Sequence, residues 1–229
     1  MRIALPLTLL SVLPLLLPRS LPAQSPLTLE DVFQLQYAQD PQVSPDSSMV
    51  AYTRTSASIK TDRFSSSIWL VRRDGSEHAA ITRDKGNYSS ARWSPDGSQL
   101  AIVASQGDQH QILLATPGRK KLKTLVTLER AASAIAWSPD GSLIAFSSFV
   151  PVTPDPFVTL PAPPEGASWA EPARVIDRML YRRDGGGYVK PGNRHLFVVA
   201  VADGQPRQLT STPYDHGGAL SWTGDGKSI

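Results

Sequence analysis

The chain has 229 residues, no cysteine, and 23 Lys+Arg against 20 Asp+Glu, a formal net charge of +3. Zero cysteine excludes a disulfide framework, a zinc–thiolate site, a thiol nucleophile and a lipid-modified cysteine. Hydrophobic residues make up 41%, too many for a disordered chain, and an excess of three charges that forms no patch does not imply nucleic acid.

In chain order, the N-terminus reads as an address. Arg2 precedes a Leu-rich run over residues 3–17, closed by Pro18, Arg19 and Ser20, with Leu21-Pro22-Ala23 after it. A basic start, a short apolar stretch and a small residue before a polar segment describe a secretory signal peptide. The run falls short of the ~20 residues that span a bilayer, and Pro6 and Pro14 make it a poor permanent helix. Cleavage is expected after Ala23. Losing Arg2 and Arg19 then lowers the net charge from +3 to +1. The expected location is periplasmic or secreted, with no membrane contact once the signal is removed, and with folding that needs no oxidation.

Residues 24–41 read as an N-terminal segment. Within it, residues 28–35 form a short capped helix, with Thr28 as cap and Asp31 three residues on, a weaker form of the capping box.

A repeat organises residues 42–229. Its copies are Val43-Ser44-Pro45-Asp46-Ser47, Trp93-Ser94-Pro95-Asp96-Gly97, Trp137-Ser138-Pro139-Asp140-Gly141 and Trp222-Thr223-Gly224-Asp225-Gly226, spaced by 50, 44 and 85 residues. Ser-Pro-Asp-Gly is a tight turn: Pro presets φ, Asp bonds nearby amides, and Gly accepts positive φ. Ser47 and Gly224 depart from the pattern and weaken the local preference. The residues after each turn run apolar, as a buried strand does, and the Trp before it can pack between neighbouring units. Further strands follow at residues 67–71 and 78–82, at 111–115 and 123–128, and at 195–201 and 207–210. Four strands per unit at this period predict an all-β fold, a β-propeller of antiparallel blades. About three and a half blades are present, so the ring is incomplete. An open fragment exposes strand edges and is expected to be unstable alone.

The third unit carries an insertion of about 40 residues over 150–193. Pro151, Pro154, Pro156, Pro161, Pro163, Pro164 and Pro172 forbid regular sheet or long helix there. Residues 173–181 suit a short helix or strand, and residues 182–188 a flexible turn. The insertion belongs on a propeller face, where partners and substrates approach, either as a functional loop or as a spacer.

Chemistry is sparse. Gly166-Ala167-Ser168-Trp169-Ala170 approaches the nucleophile-elbow phrase but lacks its strand–helix context. His78, His110, His195 and His216 are scattered. His216, within Tyr214-Asp215-His216-Gly217-Gly218, stands out, with a polar loop between blades as its plain reading. Arg182 and Arg183 could meet a carboxylate or simply be solvated. Asn87-Tyr88-Ser89 is a glycosylation sequon. No residue is assigned as catalytic, cofactor-binding or metal-ligating, and no cofactor is expected.

The leader, the short Leu-Glu-Asp helix, Asp40-Pro41-Gln42-Val43-Ser44-Pro45-Asp46 and the Trp-Ser-Pro-Asp-Gly units together resemble the N-terminal region of prolyl oligopeptidase-type serine peptidases. The acylaminoacyl-peptidase and dipeptidyl-peptidase-like branch is the most similar. Residues 181–188, 195–199 and 207–210 share that likeness. The resemblance covers residues 27–229. It implies a propeller of about seven or eight blades that gates access for short peptides. It also implies a partner outside this chain, a C-terminal α/β-hydrolase domain carrying Ser, Asp and His. Dipeptidyl peptidases hold the substrate amine with adjacent glutamates; here Glu165 and Glu171 are separated, which favours an acylaminoacyl-peptidase-like or oligopeptidase parent. The alternative is a non-catalytic periplasmic propeller like that of the Tol envelope system. That protein places an α/β domain before its propeller, and too few residues precede the first motif here to hold one.

Overall fold

The computed structural model describes residues 26–82, 86–119, 121–156, 158–159, 161–170 and 173–229. The expected signal peptide and its cleavage point after Ala23 lie outside the described residues.

Fourteen strands and one short 3-10 helix account for the regular structure, and no α-helix occurs among the described residues. The helix, Glu30–Gln34, is shorter than the sequence suggests. Only half of the expected capping box forms: Asp31 Oδ2 accepts the Thr28 backbone N–H at 2.7 Å, while no side chain caps the helix start. Leu35 is already extended, at φ −66° and ψ 134°, and the chain leaves directly into strand.

The first blade contains β1 (Gln36–Val43), β2 (Met49–Ser58), β3 (Arg63–Arg72) and β4 (Ala79–Ala80). The second contains β5 (Asn87–Trp93), β6 (Leu100–Gln106), β7 (Gln109–Ala115) and β8 (Lys123–Leu128). The third contains β9 (Ala132–Trp137) and β10 (Leu143–Pro151), then, past a small hairpin of β11 (Arg182–Arg183) and β12 (Gly187–Tyr188), β13 (Gly192–Ala200) and β14 (Pro206–Gln208). Within each blade the strands pair antiparallel in chain order, and the single parallel pair Ser66↔Asn87 joins the first blade to the second. The incomplete propeller of four-stranded blades expected from the repeat is therefore present. Its first strand starts at Gln36, inside the segment the sequence suggested preceded the propeller.

In the first three copies the repeat turn joins the first strand of a blade to the second, and the same bonds recur in all four copies. The Ser44, Ser94 and Ser138 hydroxyls donate to Asp46, Asp96 and Asp140 at 2.6, 2.6 and 2.5 Å, and Thr223 donates to Asp225 at 2.6 Å. Each aspartate also accepts the backbone N–H two residues on, at 3.0–3.1 Å. The same Ser or Thr oxygen accepts the backbone N–H five residues on, at 2.9–3.1 Å. Each turn is thus closed by side-chain bonds within its own six residues, without help from another blade. Its last residue needs positive φ: Gly97, Gly141 and Gly226 sit at 72°, 72° and 69°. Ser47 takes the same conformation at 58°, so the first copy keeps its turn in spite of its departure from glycine.

The tryptophans tie the blades together. The Trp93 indole N–H donates to the Gln42 carbonyl at 3.0 Å, Trp137 to Arg92 at 2.9 Å, and Trp222 to Ala136 at 3.1 Å. Each acceptor immediately precedes the matching repeat position one blade earlier. The fourth motif therefore packs on the third blade, although no strand forms around it. Arg92 adds an ion pair to Asp40 at 2.6 Å, again between successive first strands.

A bulge recurs in every first strand. Asp40, Ser90 and Ala134 lie three residues before the repeat position, at φ 50°, 52° and 51°, where the ladders of β1, β5 and β9 slip register. Three non-glycine residues held in this region mark local strain at one place in the fold.

The core follows from strand alternation. Leu100, Ile102, Ala104, Leu113 and Ala115 face Ala51, Ile68 and Leu70 of the first blade. Their neighbours Ala101, Val103, Ile112 and Leu114 face Ile135, Ile144, Phe146 and Val199 of the third. Both faces of the second blade are buried, so β6 and β7 read as continuous apolar runs.

Two outcomes are expected. Trp137→Phe keeps the ring but strands the Arg92 carbonyl, costing about 1–2 kcal/mol in denaturant unfolding. A second prediction concerns acid. The Ser hydroxyl, then the backbone N–H two residues on, hold Asp46 and Asp140 down to about 2 from an ordinary 3.8. A depressed folded pKa contributes stability above the unfolded value and loses it as pH falls from about 4 towards about 2. In Asp46→Asn/Asp140→Asn the carboxamides still accept those bonds but no longer titrate, so urea midpoints should fall less over that window than in the parent.

Candidate functional site

In an antiparallel blade, the connection from first to second strand and that from second to third lie at opposite ends. The repeat turns are of the first kind and the insertion is of the second, so it rises from the face opposite the turn row. Its base is tighter than the sequence suggests. Strands β10 and β13 pair out to Val150↔Asn193 and Pro151↔Gly192, and Val152 N–H donates to the Pro191 carbonyl at 3.2 Å. Gly192, at φ 134°, is needed there, because a Cβ would stand 2.3 Å from the Val150 carbonyl oxygen. The free loop is therefore confined to residues 152–191.

Residues 173–181 form neither helix nor strand. The expected flexible turn is a hairpin: Arg182 pairs with Tyr188 and Arg183 with Gly187, and Val189 N–H donates to the Tyr181 carbonyl at 2.8 Å. The Arg174 guanidinium carbon lies 3.9 Å above the Tyr188 ring centroid, and that of Arg182 lies 6.0 Å from it. Tyr181 stands 6.3 Å from Tyr188, tilted by 38°. Arg178 pairs with Asp177 at 3.3 Å, whereas Arg174, Arg182 and Arg183 have no carboxylate partner among the described residues. Val175, Ile176, Met179 and Leu180 are exposed beside them, Met179 completely at 100%.

The base of the same face carries a second cluster. His195, only 5% exposed on β13, has Nδ1 3.3 Å from Thr210 Oγ1, and its ring is 6.0 Å from that of His216. His216 Nε2 lies 2.6 Å from Thr212 Oγ1, its backbone N–H donates to the Arg194 carbonyl at 2.7 Å, and Tyr214 covers its ring at 5.3 Å. Arg194 closes the knot: its backbone N–H donates to Asp215 Oδ1 at 2.7 Å, and Nη1 donates to Ser133 Oγ at 3.0 Å. The segment after β14 is thereby strapped to the third blade. His216 was singled out from the sequence, but its partners Arg194 and Thr212 were not, and His195 was named only as one of four scattered histidines. Residues 194–195 and 215–216 approach only through the fold, and the one local signal was the Asp215-His216 pair before two glycines.

The other singled-out residues stay apart. His78 Nε2 meets Tyr52 Oη at 2.6 Å, and His110 Nδ1 meets Ser105 Oγ at 3.1 Å. Ser168 and Glu165 sit exposed in irregular chain, Asn87 is exposed at the start of β5, and Glu171 lies outside the described residues. Among the described residues no three His, Asp or Glu side chains gather as metal ligands, and no helix is long and apolar enough to cross a membrane.

No family model matches the chain. It is 28% identical over 202 residues to the uncharacterized peptidase YuxL of Bacillus subtilis, covering 88% of this chain and 30% of that one. It is 22% identical over 218 residues to dipeptidyl-peptidase 5 of Porphyromonas gingivalis, covering 89% and 30%. In sequence, its relatives are peptidases. In fold, it is similar to acylaminoacyl peptidase from Pyrococcus horikoshii, with a TM-score of 0.58 at 16% identity over 77% of this chain and 25% of that one. The resemblance to the N-terminal propeller region of prolyl oligopeptidase-type peptidases is borne out. The chain spans about 30% of the length of the curated relatives it matches.

Because Gly192 pins the insertion, Gly192→Ala should push β13 off Val150, lowering stability by about 1–3 kcal/mol. Amide exchange at Val150 and Val152 should rise while that of the β6–β7 core stays protected.

Proposed function

We propose that the chain is the substrate-gating propeller part of an exported serine-type peptidase that hydrolyses short peptides. Its catalytic α/β-hydrolase domain would lie outside these 229 residues. One observation carries this reading: similarity to a peptidase extends over 88% of this chain but only 30% of that relative. Each of the two curated relatives reported above is a peptidase by name. Blades locked by repeated indole bonds suit a rigid screen, and a long loop on one face suits contact with what passes it. Ser168 sits exposed in irregular chain, without the strand–helix context of a nucleophile elbow, so the triad is assigned to no residue of this chain. The Arg2-led apolar run supports export.

The test is active-site labelling. The full-length gene product should react with a fluorophosphonate probe, be recovered from the exported fraction beginning at Gln24, and cleave short peptides in preference to folded protein. The 229-residue chain alone should not label. An unlabelled full-length product would sink the reading in favour of a non-catalytic binding propeller.

A further inference from the structure

We propose that Arg174 and Arg182, gathered on the Tyr188 ring, form a cradle on the insertion that takes the carboxylate of a short peptide. This rests on the peptidase reading for the peptide, but not for the carboxylate. Two guanidinium groups converge on one aromatic ring, at 3.9 and 6.0 Å from its centroid. A cation–π contact uses no N–H donor, so it leaves the guanidinium donors free, and it restrains a side chain that would otherwise lose much rotamer freedom on binding. The free donors are paired at a spacing that suits the two oxygens of a carboxylate.

Among the described residues the charges of Arg174 and Arg182 have no acidic partner. Arg178, a few residues away, is by contrast neutralised by Asp177 at 3.3 Å. With both guanidinium carbons so close to one ring centroid, the two like charges lie within about 10 Å of each other and repel, and an anion that meets both relieves the repulsion. The backbone supports the geometry: the pairing of Arg182 with Tyr188 puts both side chains on one face of the hairpin, and Gly185 and Gly187, at φ 70° and 71°, make its tight reversal. Exposed Met179, Leu180 and Tyr181 lie next to this face in sequence and offer apolar contact to the residue that bears the carboxylate. Arg183, paired with Gly187 one residue along, points to the opposite face and serves as the internal control.

The experiment uses the full-length protein after treatment with a fluorophosphonate, so that no amide is hydrolysed during the titration, and small acid and amide probes. N-acetyl-phenylalanine is titrated against its amide by calorimetry, with N-acetyl-glutamic acid α-amide as the side-chain carboxylate. The acid should bind more than tenfold tighter than the amide, and Arg174→Gln/Arg182→Gln should bring the acid down to the level of the amide. Arg183→Gln and Arg178→Gln should keep the preference. Binding of the glutamyl probe alongside the acid assigns the cradle to any peptide carboxylate, and its failure assigns it to the C-terminus. Equal binding of acid and amide, binding of neither, or a preference that survives the double substitution overturns the proposal. Fluorophosphonate labelling is independent of these arginines, so a product that labels but shows no acid preference loses the cradle and keeps the peptidase reading.

Discussion

Everything in this fold hangs on a short bond that crosses from one blade to the next. An indole N–H cannot be left dry, and in each blade after the first it finds a backbone carbonyl at the matching point of the blade before, within 2.9–3.1 Å. The bond works only if the Trp emerges at a fixed angle. That angle is set by the turn that follows it, which is closed by its own Ser–Asp bonds. Local chemistry therefore fixes the turn, the turn aims the tryptophan, and the tryptophan sets the spacing of blades. Burial then follows, since at that spacing the second blade is covered on both sides.

The same dependence explains what was legible beforehand. Turn residues act locally, so four copies of one phrase were enough to place the blades, and β8 falls on the very residues expected, Lys123–Leu128. The indole acceptors were invisible because any residue supplies a carbonyl. The start of β1 was missed because Asp40 and Pro41 look like loop, whereas the structure uses Asp40 at φ 50° as the bulge of a strand. Ser90 and Ala134 hold the equivalent place with unrelated side chains, so no sequence signal marked the bulge. The expected helix shrank to one 3-10 turn, since half a capping box supports little more.

The candidate site was legible only as ingredients. Arg182, Arg183 and His216 drew notice as isolated residues. Their meaning depends on neighbours brought by the fold: Arg174 and Tyr188 for the arginine, His195 and Arg194 for the histidine. Proline density was expected to exclude regular sheet from Pro151 to Pro172, yet Pro151 is the last residue of β10 and pairs with Gly192, because a strand end tolerates a proline; the described residues after it up to 170 form no strand.

The outer flank of the first blade obeys a different rule. The latch runs backwards, from a tryptophan to the blade before it, and the first repeat has Val43, which is 61% exposed and has no side-chain donor to give. Where the seams between blades are apolar and buried, this flank carries Arg54 over the Trp69 ring at 4.5 Å, with His78 against Trp69 at 5.1 Å and bonded to Tyr52. Cation–π and polar contacts of this kind tolerate water better than an aliphatic face does. Whatever packs against the first blade must meet aromatic edges and a charge, with neither an indole bond nor a dry seam to hold it. Contact there then lacks the indole bond that ties the second and third blades to their predecessors.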